Sequence, residues 1–202
     1  MLGYQKEQVS LTRNQKEAIG LLSIGTFLEY FDLMLYVHMA VLLNELFFPK
    51  GDPKVAFIYS ASAFCSTFVF RPFGALLFGW IGDNIGRKPV ILIATFLMAC
   101  TCIGIAVLPS YDEIGFTATV LITLFRALQG ISSATEVTGA ELYITEMVKP
   151  PLQYPAVAST TFFSTLGSLA ALAIATIVTS RNFNWRYAFL FGAFVAVTGL
   201  IE

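Results

Sequence analysis

The sequence predicts an all-α integral membrane protein built as a bundle of six transmembrane helices, and three observations lead to this prediction. Hydrophobic residues make up 56% of the 202 residues and charged residues only 12%, about half the charged share of a soluble domain. The mean hydropathy is +0.74. The charged residues lie in short clusters, and the apolar runs between them are about 20 residues long, enough to cross a bilayer as a helix. An open sheet cannot cross lipid, so we expect the spans to be helical.

The composition and the motifs also exclude several classes of function. A formal net charge of −1 gives no reason to expect a nucleic-acid partner. The Cys100-x-Cys102 pair lacks the further Cys or His that a metal site needs, and the sequence contains no nucleophile or phosphate-binding motif. We therefore expect no metal, no cofactor and no enzyme. Residues 1–17 are polar and lack the pattern of a signal peptide, so we expect a cytoplasmic N-terminal segment followed by a membrane domain over 18–202.

Charged or proline-containing stretches bound each apolar segment. We expect spans at about 18–43, 55–82, 89–109, 114–146, 156–180 and 187–201. The fourth span runs through Glu136 and Glu141, which we expect to be packing or gate residues, and Tyr111 begins a short loop before it. The last segment has 15 residues, too few to cross comfortably, so we expect its helix to be incomplete.

Short connections place each helix antiparallel to the one before it, which gives a six-helix bundle. The positive residues favour a cytoplasmic N-terminus, because Lys and Arg concentrate on that side of a membrane. The cytoplasmic side would then carry Lys6, Arg13, Lys16, Arg87, Lys88 and Lys149. The opposite side would carry Lys50, Lys54, Arg181 and Arg186.

Several charged residues fall inside the predicted spans, where a charge at mid-bilayer costs about 2.5–3.5 kcal/mol. These residues are Glu29, Asp32, Arg71, Arg126 and Glu136. At a rise of about 1.5 Å per residue, all but Glu136 lie roughly 16–21 Å from one end of their spans, near the bilayer midplane. We therefore expect these charges to face one another or a polar cavity.

Glu29, Asp32 and Tyr36 share one face of the first span, since they follow one another at spacings of three and four residues. A polar stripe at the midplane suits a pathway for a solute or an ion. Two neighbouring carboxylates repel one another, so we expect one of them to take up a proton and to serve proton coupling. Arg71 and Arg126 either tie helices together by pairing with carboxylates or line a cavity. His38 either relays protons or lies at the membrane interface.

Several motifs resemble those of the metabolite:proton symporter family within the major facilitator superfamily. The turn after the second span resembles the superfamily's signature loop and reads Gly79-Trp-Ile-Gly-Asp83-Asn-Ile-Gly86-Arg87-Lys88. The other motifs follow the order and spacing of that family: Gly25-Thr-Phe-Leu-Glu29-Tyr-Phe-Asp32-Leu-Met-Leu-Tyr36, Phe47-Phe-Pro49, Arg71-Pro-Phe-Gly74-Ala and Arg126-Ala-Leu-Gln129-Gly130. Together they cover about residues 20–190. We expect Gly79 and Gly86 to allow close approach of helices and a tight reversal.

The resemblance implies one six-helix half of a twelve-helix transporter, made of two three-helix units related by an inverted repeat. It also implies alternating access driven by the proton gradient, with Arg126 serving proton coupling or an anionic substrate. It assigns a cytoplasmic gate to Gly79, Asp83, Gly86, Arg87, Lys88 and Glu146. Glu146 is then the expected partner of Arg87. Asn84, Ala134 and Gln153 depart from the family pattern, and these departures weaken the charge network of the gate.

We therefore expect a secondary transporter, or half of one, that moves a small polar metabolite with protons across the inner membrane. Arg71 and Arg126 suit a carboxylate, whereas Glu29 and Asp32 beside aromatic residues suit a cation or a zwitterion. Organic acids, amino acids and betaines are all compatible. The expected partners are protons, the substrate, the lipid bilayer and a second six-helix half, which is either a missing C-terminal half or another copy. The alternative is a degenerate half that acts as a non-transporting membrane module.

Overall fold

We analysed a computed structural model that describes residues 9–49, 51, 53–136, 138–180 and 184–201. Within these ranges the chain is helical and forms no strand. The helices are α1 (Arg13–His38), α2 (Ala40–Phe47), α3 (Pro53–Asn84), α4 (Arg87–Val107), α5 (Tyr111–Ile114), α6 (Phe116–Glu136), α7 (Thr138–Met147), α8 (Gln153–Ser180) and α9 (Arg186–Ile201). Among the described residues, α1, α3, α4, α6 and α8 are long and apolar enough to cross a membrane, and α9 is a shorter apolar helix.

Each predicted span overlaps one of these long helices or α9, but several helix ends differ from the prediction. The helix α1 begins at Arg13, because Thr12 and Gln15 form a capping box that satisfies the first backbone N–H groups. It ends at His38, and α2 starts at Ala40, because Met39 between them has φ −98° and ψ 7°. The prediction of one continuous first span over 18–43 was therefore wrong.

One other predicted boundary was also wrong. The predicted loop beginning at Tyr111 is the helical turn α5, with Ser110 as its N-cap. The predicted fourth span, about 114–146, covers α6 (Phe116–Glu136) and α7 (Thr138–Met147), and the residue between these helices lies outside the described residues.

The helices pack with the symmetry of an inverted repeat. The first unit is α1, α3 and α4, and the second is α6, α8 and α9. The main packing partners are α1 with α8, α3 with α6, and α4 with α9. The helices α1, α3 and α4 of the first unit correspond in order to α6, α8 and α9 of the second. Under this correspondence the α1–α8 contact is equivalent to the α6–α3 contact, and the α4–α9 contact is equivalent to itself. The fold therefore has the two-unit architecture that the sequence motifs implied.

Glycines lie where the paired helices approach most closely. A Cβ on Gly130 of α6 would overlap the backbone carbonyl of Thr67 in α3, and a Cβ on Gly74 would overlap that of Ile131. Gly167 of α8 lies in the same way against the backbone of Phe27 in α1. Small residues allow such close approach between membrane helices, where packing replaces the hydrophobic effect as the source of stability.

The helices α3 and α8 lie at the edges of the bundle. Only 17% and 22% of their most apolar windows are buried inside the chain, whereas the corresponding share is 44–56% for α1, α4 and α6. The exposed side chains on these helices include Phe73 and Trp80 of α3 and Phe162 and Leu169 of α8. An apolar surface of this extent requires lipid or another protein to cover it.

Candidate functional site

The charges within the spans form two separate ion pairs, and each joins α1 to another helix. Arg126 of α6 contacts Asp32, with 3.2 Å between Nη1 and Oδ2, and its Nη2 donates a hydrogen bond to Oδ1 at 3.3 Å. Arg71 of α3 donates from Nη2 to Oε1 of Glu29 at 2.9 Å. The structure thus brings these four charged side chains face to face in pairs, as expected for charges inside a membrane span.

The two pairs differ in their accessibility. The side chains of Arg126 and Asp32 are 0% and 6% exposed, so this pair is enclosed by the bundle. Arg71 is 32% exposed, although its partner Glu29 is buried at 4%. Arg71 therefore reaches the open edge of the bundle, whereas Arg126 lies in the interior.

Asp32 is the centre of a buried polar cluster formed by α1, α4 and α6. Gln129 donates from Nε2 to Oδ1 at 2.8 Å, and the thiol of Cys102 donates to the same oxygen at 3.7 Å. The guanidinium of Arg126 lies over the ring of Tyr36, with 4.1 Å between Cζ and the ring centroid. Tyr36 and Asp32 thus both contact Arg126, which agrees with their predicted position on one face of α1.

Gln129 and Cys102 are site residues that the sequence reasoning did not assign. Gln129 lies three residues after Arg126 on α6, and this spacing places both on one helix face. This spacing would have been sufficient to assign Gln129 to the same site as Arg126. Cys102 comes from a helix some 70 residues away from Asp32, so its contact depends on how α1 and α4 pack.

A row of aromatic rings runs between the two ion pairs. The rings of Tyr36 and Phe64 are stacked with centroids 6.0 Å apart, and Phe64 meets Phe68 edge-on at 5.3 Å. The guanidinium of Arg71 lies 5.1 Å from the ring centroid of Phe68. Aromatic faces attract cations, so this row offers favourable positions for positive charge between the enclosed pair and the open edge.

Unused hydrogen-bonding groups concentrate at the same place. Within the described residues, buried atoms without a hydrogen-bond partner include Glu29 Oε2, Arg71 Nε, Tyr36 Oη, Gln129 Oε1 and Arg126 Nε. Most buried polar groups in folded proteins have partners. These groups are free to bind a ligand or water at this place.

The turn of the expected gate lies between α3 and α4. Gly86 has φ +123°, a conformation that glycine adopts without steric cost, and it precedes α4 directly. Gly79 was expected to allow a close helix approach, but no described atom lies within 4 Å of the position of a Cβ there. The close approaches between described helices are at Gly74, Gly130 and Gly167, and the role of Gly79 stays a prediction. 

The charged residues assigned to the gate are described only in part. Asp83 and Glu146 are exposed at the ends of α3 and α7, and Glu141 is exposed at the start of α7. The side chains of Arg87, Lys88 and Glu136 lie outside the described residues, so the expected Arg87–Glu146 pair lies outside them as well. His38 is exposed at the last residue of α1.

Comparison with known sequences identifies the family. Residues 22–201 match the family model of the Major Facilitator Superfamily. The chain is 32% identical to a putative proline/betaine transporter of Staphylococcus haemolyticus, over 98% of this chain and 45% of that protein. It is 33% identical to the proline/betaine transporter of Escherichia coli K12, over 92% of this chain and 38% of that protein. The chain therefore spans less than half the length of these relatives.

A further relative and the solved structures agree with this assignment. The inner membrane metabolite transport protein YhjE of Escherichia coli K12 is 33% identical over 98% of this chain and 47% of its own length. The proton:xylose symporter XylE, solved with 6-bromo-6-deoxy-D-glucose, superposes with a TM-score of 0.80 over 93% of this chain and 43% of that chain. A second crystal structure of a D-xylose-proton symporter gives 0.79 over 92% and 47%. Both are 18% identical in sequence, so they establish the fold alone.

These relatives are transporters, which confirms the prediction that the chain is not an enzyme. They also confirm the predicted membrane location, since the matched proteins include an inner-membrane one and the described helices include several that are apolar enough to cross a bilayer. The chain belongs to the major facilitator superfamily, as a multi-pass inner-membrane protein with the six-helix fold of that family's N-terminal half.

Proposed function

We propose that the chain supplies the N-terminal half of a proton-coupled transporter for a small metabolite that carries a carboxylate. The observation that carries this proposal is the pair of carboxylates on α1, each held by its own arginine, with one pair enclosed and the other at the open edge. Charged residues within membrane spans are costly to insert and usually mark a functional site, so these two ion pairs favour a functional role. The proline/betaine transporters among its relatives support the same class of activity.

The enclosed pair is suited to proton coupling. Asp32 belongs to the first three-helix unit and Arg126 to the second, so their attraction holds the two units together. Uptake of a proton by Asp32 removes its negative charge and ends that attraction. In surroundings of low dielectric constant this attraction is much stronger than in water. One proton therefore changes the energy of the contact between the two three-helix units.

The pair at the open edge is suited to substrate recognition. Arg71 is partly exposed, and its Nε makes no hydrogen bond within the described residues. A guanidinium binds a carboxylate through parallel hydrogen bonds. The row of rings from Phe68 to Tyr36, together with Glu29, offers attraction to an ammonium or quaternary ammonium group. Organic acids, amino acids and betaines share the carboxylate, and the latter two would use both features.

A second six-helix half would complete the transporter. The exposed apolar faces of α3 and α8, and the coverage of less than half of each relative, support a partner of similar size. This partner is either a C-terminal half or another copy of the chain. Crosslinking in membranes at native abundance separates these cases, because a strictly monomeric chain would contradict the second copy.

The proposal is tested by uptake into membrane vesicles that contain the protein expressed from its own gene. Radiolabelled proline, glycine betaine and citrate serve as probes, with and without an imposed pH gradient, and vesicles without the protein serve as the control. We expect the gradient to drive accumulation of at least one probe, and a protonophore to abolish it. Absence of accumulation for every probe in vesicles with the correctly inserted protein would contradict the proposal and favour a non-transporting membrane module.

A further inference from the structure

The shortest hydrogen bond to Asp32 comes from a neutral amide. Nε2 of Gln129 lies 2.8 Å from Oδ1 of Asp32, whereas the two contacts from Arg126 measure 3.2 Å and 3.3 Å. Gln129 is 1% exposed, so water does not compete freely for its amide. The carboxylate is therefore held at least as closely by Gln129 as by its ionic partner.

The orientation of this amide follows from its neighbours. A carboxylate oxygen only accepts hydrogen bonds, so the nitrogen of the amide faces Asp32. The amide oxygen of Gln129 is buried and makes no hydrogen bond within the described residues. The amide nitrogen of Gln129 thus donates to the carboxyl group of Asp32, and the amide oxygen remains available as an acceptor beside the same group.

The other ionisable groups around Asp32 come from a small number of helices. Arg126 of α6, Cys102 of α4 and, on α1 itself, Glu29 and Tyr36 face the cluster, and Arg71 of α3 is paired with Glu29. The ionisable side chains described on α8 and α9 lie near the helix starts, where they are Tyr154, Arg186 and Tyr187. Arg186 donates from Nη1 to the carbonyl of Ala106 at 2.6 Å, beyond the end of this cluster.

We infer that Gln129 is a positioning residue that holds Asp32 in both of its protonation states. When Asp32 takes up a proton, the attraction to Arg126 ends, but the amide still donates to the carbonyl oxygen of the acid. A half-turn of the amide would also let its oxygen accept the new O–H of Asp32. Since the amide stays neutral at every working pH, this contact is independent of the proton that breaks the ion pair.

This role rests on the proposed proton uptake by Asp32, and it explains how the ion pair would form again. A carboxyl group released from Arg126 without another partner would adopt other rotamers on α1. Gln129 keeps the group beside Arg126, so that loss of the proton restores the same pair. The amide bond to the charged carboxylate is also stronger than that to the neutral acid, so removing Gln129 favours the protonated state.

The test follows the protonation of Asp32 directly by infrared spectroscopy on the purified protein. The carbonyl stretch of a protonated carboxyl group is recorded as a function of pH, and the band that Asp32→Asn removes is assigned to Asp32. Gln129→Met keeps the length of the side chain and removes both hydrogen-bonding groups, and Gln129→Leu is the second variant if Met does not fold. Ser133→Ala is the matched control, because Ser133 is a buried α6 residue whose hydroxyl donates only to Gly130 in its own helix.

We expect Gln129→Met to move the midpoint of this band to higher pH by about one unit, which is a tenfold change in proton affinity. Ser133→Ala should leave the midpoint in place. An unchanged midpoint in a folded Gln129 variant would overturn this inference while leaving proton uptake by Asp32 intact. If Asp32→Asn removes no band at any pH, Asp32 takes up no proton, and both this inference and the proposed coupling step are overturned.

Discussion

Arg126 contacts Tyr36 and Asp32 at the same time, with its guanidinium 4.1 Å from the ring centroid of Tyr36 and 3.2 Å from the carboxylate. Asp32 and Tyr36 are one turn apart on α1. The helix α6 is therefore attached to α1 by two adjacent contacts, one ionic and one cation–π. The ionic contact depends on the charge of Asp32, whereas the cation–π contact does not. Protonation of Asp32 would therefore remove the ionic contact between α6 and α1 and leave the cation–π contact in place.

The first prediction concerns the ring of Tyr36. We expect Tyr36→Phe to have little effect on thermal unfolding in detergent, because it keeps the ring and removes a hydroxyl without a hydrogen-bond partner among the described residues. Tyr36→Leu removes a buried cation–π contact and should destabilise the protein by about 2 kcal/mol. Equal losses for the two variants would mean that the ring face is not what holds Arg126.

The second prediction concerns the proposed coupling site. We expect Asp32→Asn to abolish proton-driven uptake, because an amide of the same shape cannot take up or release the proton. The measurement is uptake of a transported probe across a range of external pH, with Ser133→Ala as the control for a buried polar residue. Unchanged pH-dependent uptake in Asp32→Asn would exclude Asp32 as the coupling site.

Stability separates the ionic role of Asp32 from its proposed role in coupling. Asp32→Asn leaves the charge of Arg126 buried without compensation, which typically costs about 3–5 kcal/mol. Replacing both partners, as in Asp32→Asn with Arg126→Gln, removes that charge, so we expect the double variant to recover much of the lost stability. It should still lack proton-driven uptake. Recovery of uptake together with stability would show that the pair has only a structural role.

The third prediction concerns Arg71 and the chemistry of the substrate. Hydrogen bonds to charged groups contribute about 1.5–3 kcal/mol, so Arg71→Gln should weaken binding of a carboxylate by roughly tenfold to a hundredfold. Binding of an analogue in which an alcohol or amide replaces the carboxylate should change little. The comparison is made by calorimetry or by ligand-induced thermal shift. An equal loss for the acid and its uncharged analogue would assign Arg71 to the structure of α3 instead.

The fourth prediction concerns the contact between α3 and α6. Gly130→Ala places a methyl group against the backbone carbonyl of Thr67 and should destabilise the protein by about 1–3 kcal/mol, as overpacking does. Gly20→Ala is the matched control, because no described atom lies within 4 Å of a Cβ at Gly20. Alanine is the better helix former, so this control should be neutral or more stable by up to about 1 kcal/mol. Equal unfolding temperatures for both variants would contradict the proposed close contact.

The sequence by itself determined the class of protein, the approximate positions of its spans and the charged residues that form the intramembrane ion pairs. These properties depend on local composition: a bilayer requires long apolar segments, and a charge within such a segment stands out. The spacing of Glu29, Asp32 and Tyr36 also identified the face of α1 that carries the site, because helical periodicity relates spacing to direction. The motif around Gly86 likewise identified the turn between α3 and α4, because a turn of this kind depends on neighbouring residues in the sequence.

The tertiary structure decided how these residues pair. Arg71 contacts Glu29 and Arg126 contacts Asp32 across sequence separations of 42 and 94 residues, and the sequence is equally compatible with the opposite pairing. The structure also decided that Arg126 is enclosed while Arg71 is partly exposed, and that Gly74 and Gly130 are points of close approach between α3 and α6. Each of these depends on the depth and rotation at which separate helices meet. Helix packing sets both, whereas hydropathy and periodicity describe one helix at a time.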